Sequence, residues 1–124
     1  MPRLMSVSLT EDQVRSRTKT VTRRVGWRML AAGDHLTLCR KVMGRKPDEP
    51  LVRIVDVEVL SVRREPLNVI SADDLAAEGF PWMTRPEFVE FFCATHRGCG
   101  PETEVTRIEW RYLTQASTQL NLNS

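Results

Sequence analysis

Residues 18 to 24, TKTVTRR, crowd one lysine, three threonines and two arginines around a single valine. A threonine hydroxyl is inert as a nucleophile until a base takes its proton, and a lysine can be that base if burial and neighbouring cations lower its pKa. Lys19 and Thr22 supply the pair, and Arg23 and Arg24 are such cations. Three positions apart, Lys19 and Thr22 fall on opposite faces of a straight strand, so they converge only across a bend or a helix end. The chemistry also needs a carboxylic acid that shuttles a proton to the leaving group. Glu78, in Ala77-Glu78-Gly79-Phe80 where a helix ends at glycine, is one candidate. Residue type alone does not choose it over Asp73, Asp74 or Glu65. A phosphate loop is excluded, because Arg15, Ser16, Arg17 and Thr18 stand where that motif needs glycines ahead of its lysine.

A second constellation is Cys93-Ala94-Thr95-His96-Arg97-Gly98-Cys99. Cys93, His96 and Cys99 are three soft ligands, and zinc would need a fourth, for which Cys39 or His35 are the candidates. The competing reading has Cys93 buried, His96 near a helix C-terminus where a cation is favoured, and Gly98 ending the helix. Three cysteines are too few for a disulfide framework, so free thiols are expected in a reducing compartment.

The elements that would position these groups can be read from the periodicity. Leu4 to Leu9 reads as a strand, and Thr10-Glu11-Asp12-Gln13 has the form of a capping box opening a helix over about 11–17. His35 to Val42 reads as a strand, and GRKPDEP at 44–50 as a loop. In the long strand from Leu51 to Arg64 the apolar positions change parity, which predicts β-bulges. Ser71-Ala72-Asp73-Asp74 starts a short helix. Thr84-Arg85-Pro86-Glu87 is a capping box for a helix on which Phe88, Phe91 and Phe92 form a core stripe. Ile108, Trp110 and Tyr112 alternate with polar residues in a last strand. The absence of βαβ spacing predicts an α+β fold, a small barrel of about five or six mixed strands with two or three short helices packed on it.

At 124 residues the chain suits one domain, expected over 1–113 with a loose tail at 114–124. No apolar run approaches the roughly 18 residues of a membrane span, and the N-terminus lacks the apolar stretch of a signal peptide, so a cytoplasmic location without membrane association is expected. Residues 1–64 hold 14 Lys+Arg against 7 Asp+Glu, and 65–124 hold 4 against 9, giving +7 and −5 by halves. That asymmetry suggests a basic face for an anionic ligand.

The succession of a short N-terminal helix, T-K-T-V-T-R-R, A-G-D-H-L, a valine-rich strand, A-E-G-F and T-R-I-E-W-R-Y resembles the ASCH domain family of the PUA-like superfamily of small β-barrels. The resemblance runs in order through roughly residues 4 to 113. Its most specific parts are Lys19, Thr22 and Arg24 as K-x-x-T-x-R, with Gly33-Asp34 and Glu78-Gly79. Within that family a bacterial branch of amidohydrolases removes the acetyl group from acetylcytidine with a lysine, a threonine and a glutamate. The resemblance therefore implies Lys19 as base, Thr22 as nucleophile and Glu78 as the acid, with no metal or cofactor. It also implies Arg24 as a ligand-binding arginine; by residue type Arg23 joins it as a ligand-holding cation, and Trp27 or Trp82 is either a stacking platform for a base or part of the core. A nucleoside, nucleotide or RNA is the expected partner. The alternative within the same fold is a non-catalytic RNA-binding module or a ribonuclease. Two departures stand out: Arg17 occupies a position two before the lysine where the family usually has glycine, and the GRKPDEP loop and aromatic helix with CATHRGC are additions to the minimal enzymes.

Overall fold

A computed structural model describes residues 2–113; the tail expected at 114–124 lies outside the described residues. Five strands, β1 (Arg3–Ser6), β2 (Val21–Arg24), β3 (His35–Cys39), β4 (Arg53–Pro66) and β5 (Glu104–Tyr112), form one sheet in the order β1-β3-β4-β5-β2. β1 and β3 are parallel and the other pairs antiparallel, so the sheet is mixed. Helices α1 (Glu11–Arg15), α2 (Ala72–Glu78) and α3 (Arg85–Ala94) complete a small α+β fold. The sheet curls into a half-barrel, and the Arg24 guanidinium on edge strand β2 reaches across to donate to the Ser6 carbonyl on the opposite edge strand β1.

The parity changes in β4 have a structural counterpart. The β4–β5 register shifts between Val59 and Ser61, leaving Leu60 as the extra residue. Val55, Val57 and Val59 face inward with Met5, Leu36, Leu38, Ile108 and Trp110. A second apolar cluster joins Leu67, Ile70, Leu75, Phe80, Phe88, Phe92 and Val105 beneath α2 and α3.

Local capping explains where two of the helices begin. Thr84 accepts from the Glu87 amide while the Glu87 carboxylate accepts from the Thr84 amide, the reciprocal box expected for α3. Ser71 caps α2 by accepting from Asp74 N. The box expected at Thr10 does not form: residues Ser8–Thr10 make a 3-10 turn that runs directly into α1, so Thr10 is buried and its hydroxyl caps nothing. α1 also stops at Arg15, two residues short of the expected end, because Arg17 turns into the left-handed region at φ 63°.

That turn supplies the bend between Lys19 and Thr22. The Thr18 and Lys19 amides both donate to Gln13 O, and the chain enters β2 only at Val21. Lys19 is thus off the strand while Thr22 is on it, which removes the opposite-face constraint of a straight segment.

Candidate functional site

The backbone of Lys19 is fixed from three directions. Its amide donates to Gln13 O at 3.2 Å, and its carbonyl accepts from Trp110 Nε1 at 3.1 Å and from the Tyr112 hydroxyl. Arg17, in the conformation that glycine adopts most easily, lays its guanidinium over the Tyr112 ring at 5.6 Å. Arg17 therefore makes the left-handed turn and adds a contact on the residue holding Lys19.

Glu78 is presented by the C-terminus of α2, which ends at Gly79 with φ 104°. A Cβ at Gly79 would lie 2.7 Å from Gln13 Cγ, and Gln13 Nε2 donates to Gly79 O at 3.2 Å. The Thr20 amide donates to Ala77 O at 2.8 Å, locking the end of α2 against the entry to β2. These contacts bring residues 59 positions apart into bonding distance: Lys19 Nζ donates to Glu78 Oε1 at 2.9 Å and to Glu78 O at 2.8 Å.

Both side chains are buried, at 3% and 4% exposure. Burial lowers the Lys19 pKa from the ordinary lysine range, with Arg24 and Arg23 pushing the same way and Glu78 opposing them. Of the three ammonium hydrogens two go to Glu78. Among the described residues no hydrogen bond joins Lys19 to Thr22, whose side chain is buried on β2 and lines the same cavity.

Arg23 serves the structure more than an incoming ligand. Its Nη1 donates to Glu78 Oε2 at 3.2 Å, and its Nη2 to Glu65 Oε2 at 2.8 Å and to Asp74 Oδ2. Burial works against its charge, but bonds to Asp74 and Glu65 outweigh that and raise its pKa. Asp74 in turn receives Arg107 Nε at 2.7 Å and Nη2 at 2.9 Å, and these bonds lower its pKa well below the usual range. The three carboxylates that residue type left as rivals of Glu78 thus separate: Glu65 and Asp74 clamp Arg23, Asp73 is exposed, and Glu78 alone meets Lys19.

Arg24 differs from its neighbour. Its bond to Ser6 O is to a neutral acceptor, and no carboxylate lies within ion-pairing distance among the described residues. Burial lowers its pKa, with only a longer-range pull from Glu78 opposing it. The cluster, buried apart from half-buried Arg24 and Glu65, holds four cations, Lys19, Arg23, Arg24 and Arg107, against three carboxylates, Glu65, Asp74 and Glu78, and Arg24 is the cation left without an ion pair among the described residues.

Lys19, Thr22, Arg23, Arg24 and Glu78 line one cavity of about 170 Å³. Ser6 to Thr10 close one side, and Phe80, Phe88, Phe91, Phe92, Thr95 and His96 form the other. The expected stacking platforms are elsewhere. Trp27 packs against the sheet core in the loop after β2, beside Arg3, Val25 and Met29, and Trp82 is 68% exposed with its ring edge-on to Phe80. The planar surfaces at the cavity are instead Phe80, the three phenylalanines of α3 and His96 just beyond that helix. The spacing of Phe88, Phe91, Phe92, Thr95 and His96 marks one helical stripe, but periodicity does not distinguish a stripe that fills a core from one whose end borders a cavity.

Cys93 and Cys99 are not free thiols: they form a disulfide, with Cα atoms 5.0 Å apart. The end of α3 and the turn at Gly98, φ 76°, bring the two within the ordinary span of such a bond. His96 Nδ1 bonds to Phe92 O at 2.8 Å rather than pointing between the sulfurs, and Cys39 is buried in β3. Among the described residues no group of three His, Cys, Asp or Glu is placed to hold a metal, and no helix is long and apolar enough to cross a membrane.

No family model and no curated protein matches the chain. Among solved structures the fold is similar to that of protein EF3133 from Enterococcus faecalis V583, described as DUF984, with a TM-score of 0.61 and 14% identity over 91% of this chain and 80% of that one. At that identity the likeness shows a common fold alone.

Proposed function

We propose that the cavity is an amidohydrolase site for an acylated nucleoside, with acetylcytidine as the first substrate to test. The observation that carries this reading is the convergence of Lys19, Thr22 and Glu78 on one cavity beside Arg24, which has no carboxylate within ion-pairing distance among the described residues. Lys19 passes a proton to Glu78 Oε1 over the 2.9 Å between them, which leaves a neutral amine and a carboxylic acid. The amine takes the Thr22 proton as Thr22 Oγ1 attacks the acetyl carbonyl, and Arg24 meets the oxyanion that develops. Glu78 protonates the leaving amine as the C–N bond breaks, and water then hydrolyses the threonyl ester to release acetate. Lys19 and Thr22 must close up when substrate binds, as hydrogen bonds in empty sites commonly do.

Engagement of Lys19 with Glu78 rather than Thr22 favours a second reading, in which the cavity binds an RNA base without hydrolysing anything. Acetate release from acetylcytidine by the purified protein separates the two. Hydrolysis requires that Lys19→Ala, Thr22→Ala and Glu78→Ala each abolish turnover in folded protein, and full activity in Thr22→Ala overturns the nucleophile. RNA binding that weakens steeply with salt and survives Thr22→Ala, with no acetate released by the wild type, supports the second reading.

A further inference from the structure

The segment from Cys93 to Cys99 is absorbed by neither the fold nor the proposed reaction, yet it forms part of the cavity wall. Thr95 and His96 line the cavity, and both sit between the two bridged cysteines, which are six positions apart. The His96 ring stacks on Phe92 with centroids 4.1 Å apart and planes at 5°. Because Phe92 O can only accept, His96 Nδ1 is the protonated nitrogen of that 2.8 Å bond. In the neutral ring Nε2 is then an acceptor, and no described group engages it. The other polar groups at the cavity are rich in donors: the Arg24 guanidinium, the remaining Lys19 hydrogen and the Thr22 hydroxyl. Both oxygens of the Glu78 carboxylate already accept, from Lys19 and Arg23. His96 Nε2 is therefore an uncommitted acceptor for a donor on a ligand, and unlike the hydroxyls of Ser8, Thr10 and Thr22 at the same cavity it carries no hydrogen of its own in that tautomer.

The same disulfide governs where that acceptor stands. The His96 amide donates to Cys93 O at 3.2 Å, and the His96 carbonyl accepts from Cys99 N at 3.2 Å, so its backbone hangs between the two bridged residues. Apart from the covalent bond, this end of α3 is held by such turn hydrogen bonds, by the Thr95 and His96 side-chain bonds to Phe92 O, by the ring stack, and by partly buried packing of Cys93 and Cys99 on the second apolar cluster. Residues 94, 95, 97 and 98 around it are exposed.

We propose that His96 reads a hydrogen-bond donor on the ligand of this cavity, and that the Cys93–Cys99 bond holds it in position to do so. The proposal rests on the cavity being a ligand site but not on hydrolysis. A dithiol reductant transfers two electrons and two protons to the bond, giving two thiols and its own disulfide. The released segment must then be ordered again on binding, which weakens affinity.

The test is NMR titration of the full chain with acetylcytidine and, separately, with N-methylacetamide, a bare amide that carries an N–H donor. It is run on oxidised and reduced protein with the His96 ring resonances observed. We expect both probes to shift those resonances and His96→Phe, which keeps the ring stack, to weaken binding about tenfold. His96→Gln, which restores an acceptor, should recover most of that loss. Reduction should weaken wild-type binding severalfold and leave a Cys93→Ser, Cys99→Ser double variant unchanged. Equal affinity in His96→Phe, or a response to reductant that is absent in the wild type or shared by the double variant, overturns the proposal. If acetylcytidine fails while N-methylacetamide still moves His96, the nucleoside reading falls and this one stands. If neither probe perturbs His96, this proposal falls.

Discussion

Lys19 Nζ is bonded to both ends of one residue, the carboxylate of Glu78 and its backbone carbonyl. The carbonyl bond ties the ammonium to the end of α2 whatever the protonation state of the carboxylate. Lys19→Met removes the cation but leaves Glu78 paired with Arg23, so the fold should tolerate it. We expect the melting temperature to stay within a few degrees of wild type while acetate release falls by about 10²- to 10⁴-fold, the usual contribution of a general base. Differential scanning calorimetry beside an acetate assay checks both halves.

Arg23 and Arg24, adjacent in sequence, should respond oppositely. Arg23→Met leaves Glu65, Asp74 and Glu78 without their shared partner and should cost about 3–5 kcal/mol in urea unfolding. Arg24→Met breaks no ion pair, so its cost should be no more than about 1–2 kcal/mol, from the bond to Ser6 O. Turnover in Arg24→Met should nevertheless fall by about 10²- to 10³-fold if Arg24 meets the oxyanion.

The pH dependence of stability should rise on both flanks. Asp74 holds its proton less tightly folded than unfolded, so its contribution is complete above the ordinary aspartate value of 3.8 and is lost as pH falls through the lowered folded value. Lys19 also has a lowered pKa, so between that value and 10.5 the unfolded chain binds the proton that the folded chain has released, and stability increases with pH. Urea midpoints measured from pH 2 to 10 should show the acid slope shrink in Asp74→Asn and the alkaline slope vanish in Lys19→Met.

Gly79→Ala combines a left-handed backbone with a Cβ that would sit 2.7 Å from the Gln13 side chain. Its cost should be about 1–3 kcal/mol. Because Gln13 also receives the Lys19 amide, the displacement should reach the Lys19–Glu78 pair and reduce turnover out of proportion to the lost stability. Arg17→Gly offers the contrast: it relieves the φ 63° conformation and loses the Tyr112 contact, so stability should change by no more than about 1 kcal/mol, with activity retained.

What could be read without coordinates was local. Parity in β4 located the bulge at Leu60, and Thr84 with Glu87 located the start of α3, because each depends on residues a few positions apart. Thr10 with Gln13 had the same form and failed, since a 3-10 turn upstream had already placed Thr10 inside the helical run. The choice among Glu65, Asp73, Asp74 and Glu78 depended on which carboxylate the end of α2 turns toward Lys19, a contact across 59 positions that no local pattern encodes. The family resemblance pointed to Glu78, and the geometry now pairs it with Lys19. Trp27 and Trp82 do not line the cavity beside Lys19 for a related reason: aromatic character says that a ring can stack, whereas the path of the chain decides where.

The carbonyl of Lys19 is held by Trp110 and Tyr112, and the register of β2 runs wholly along β5, with Thr22 opposite Ile108. During synthesis at the ribosome, the segment carrying Lys19 and Thr22 is therefore made some 90 residues before the strand that shapes it. Until β5 emerges, Lys19 has neither its burial nor its fixed backbone, and its amine is an ordinary solvated ammonium. The proposed base is thus kept inert by the order of translation until β5 has been made and has paired with β2.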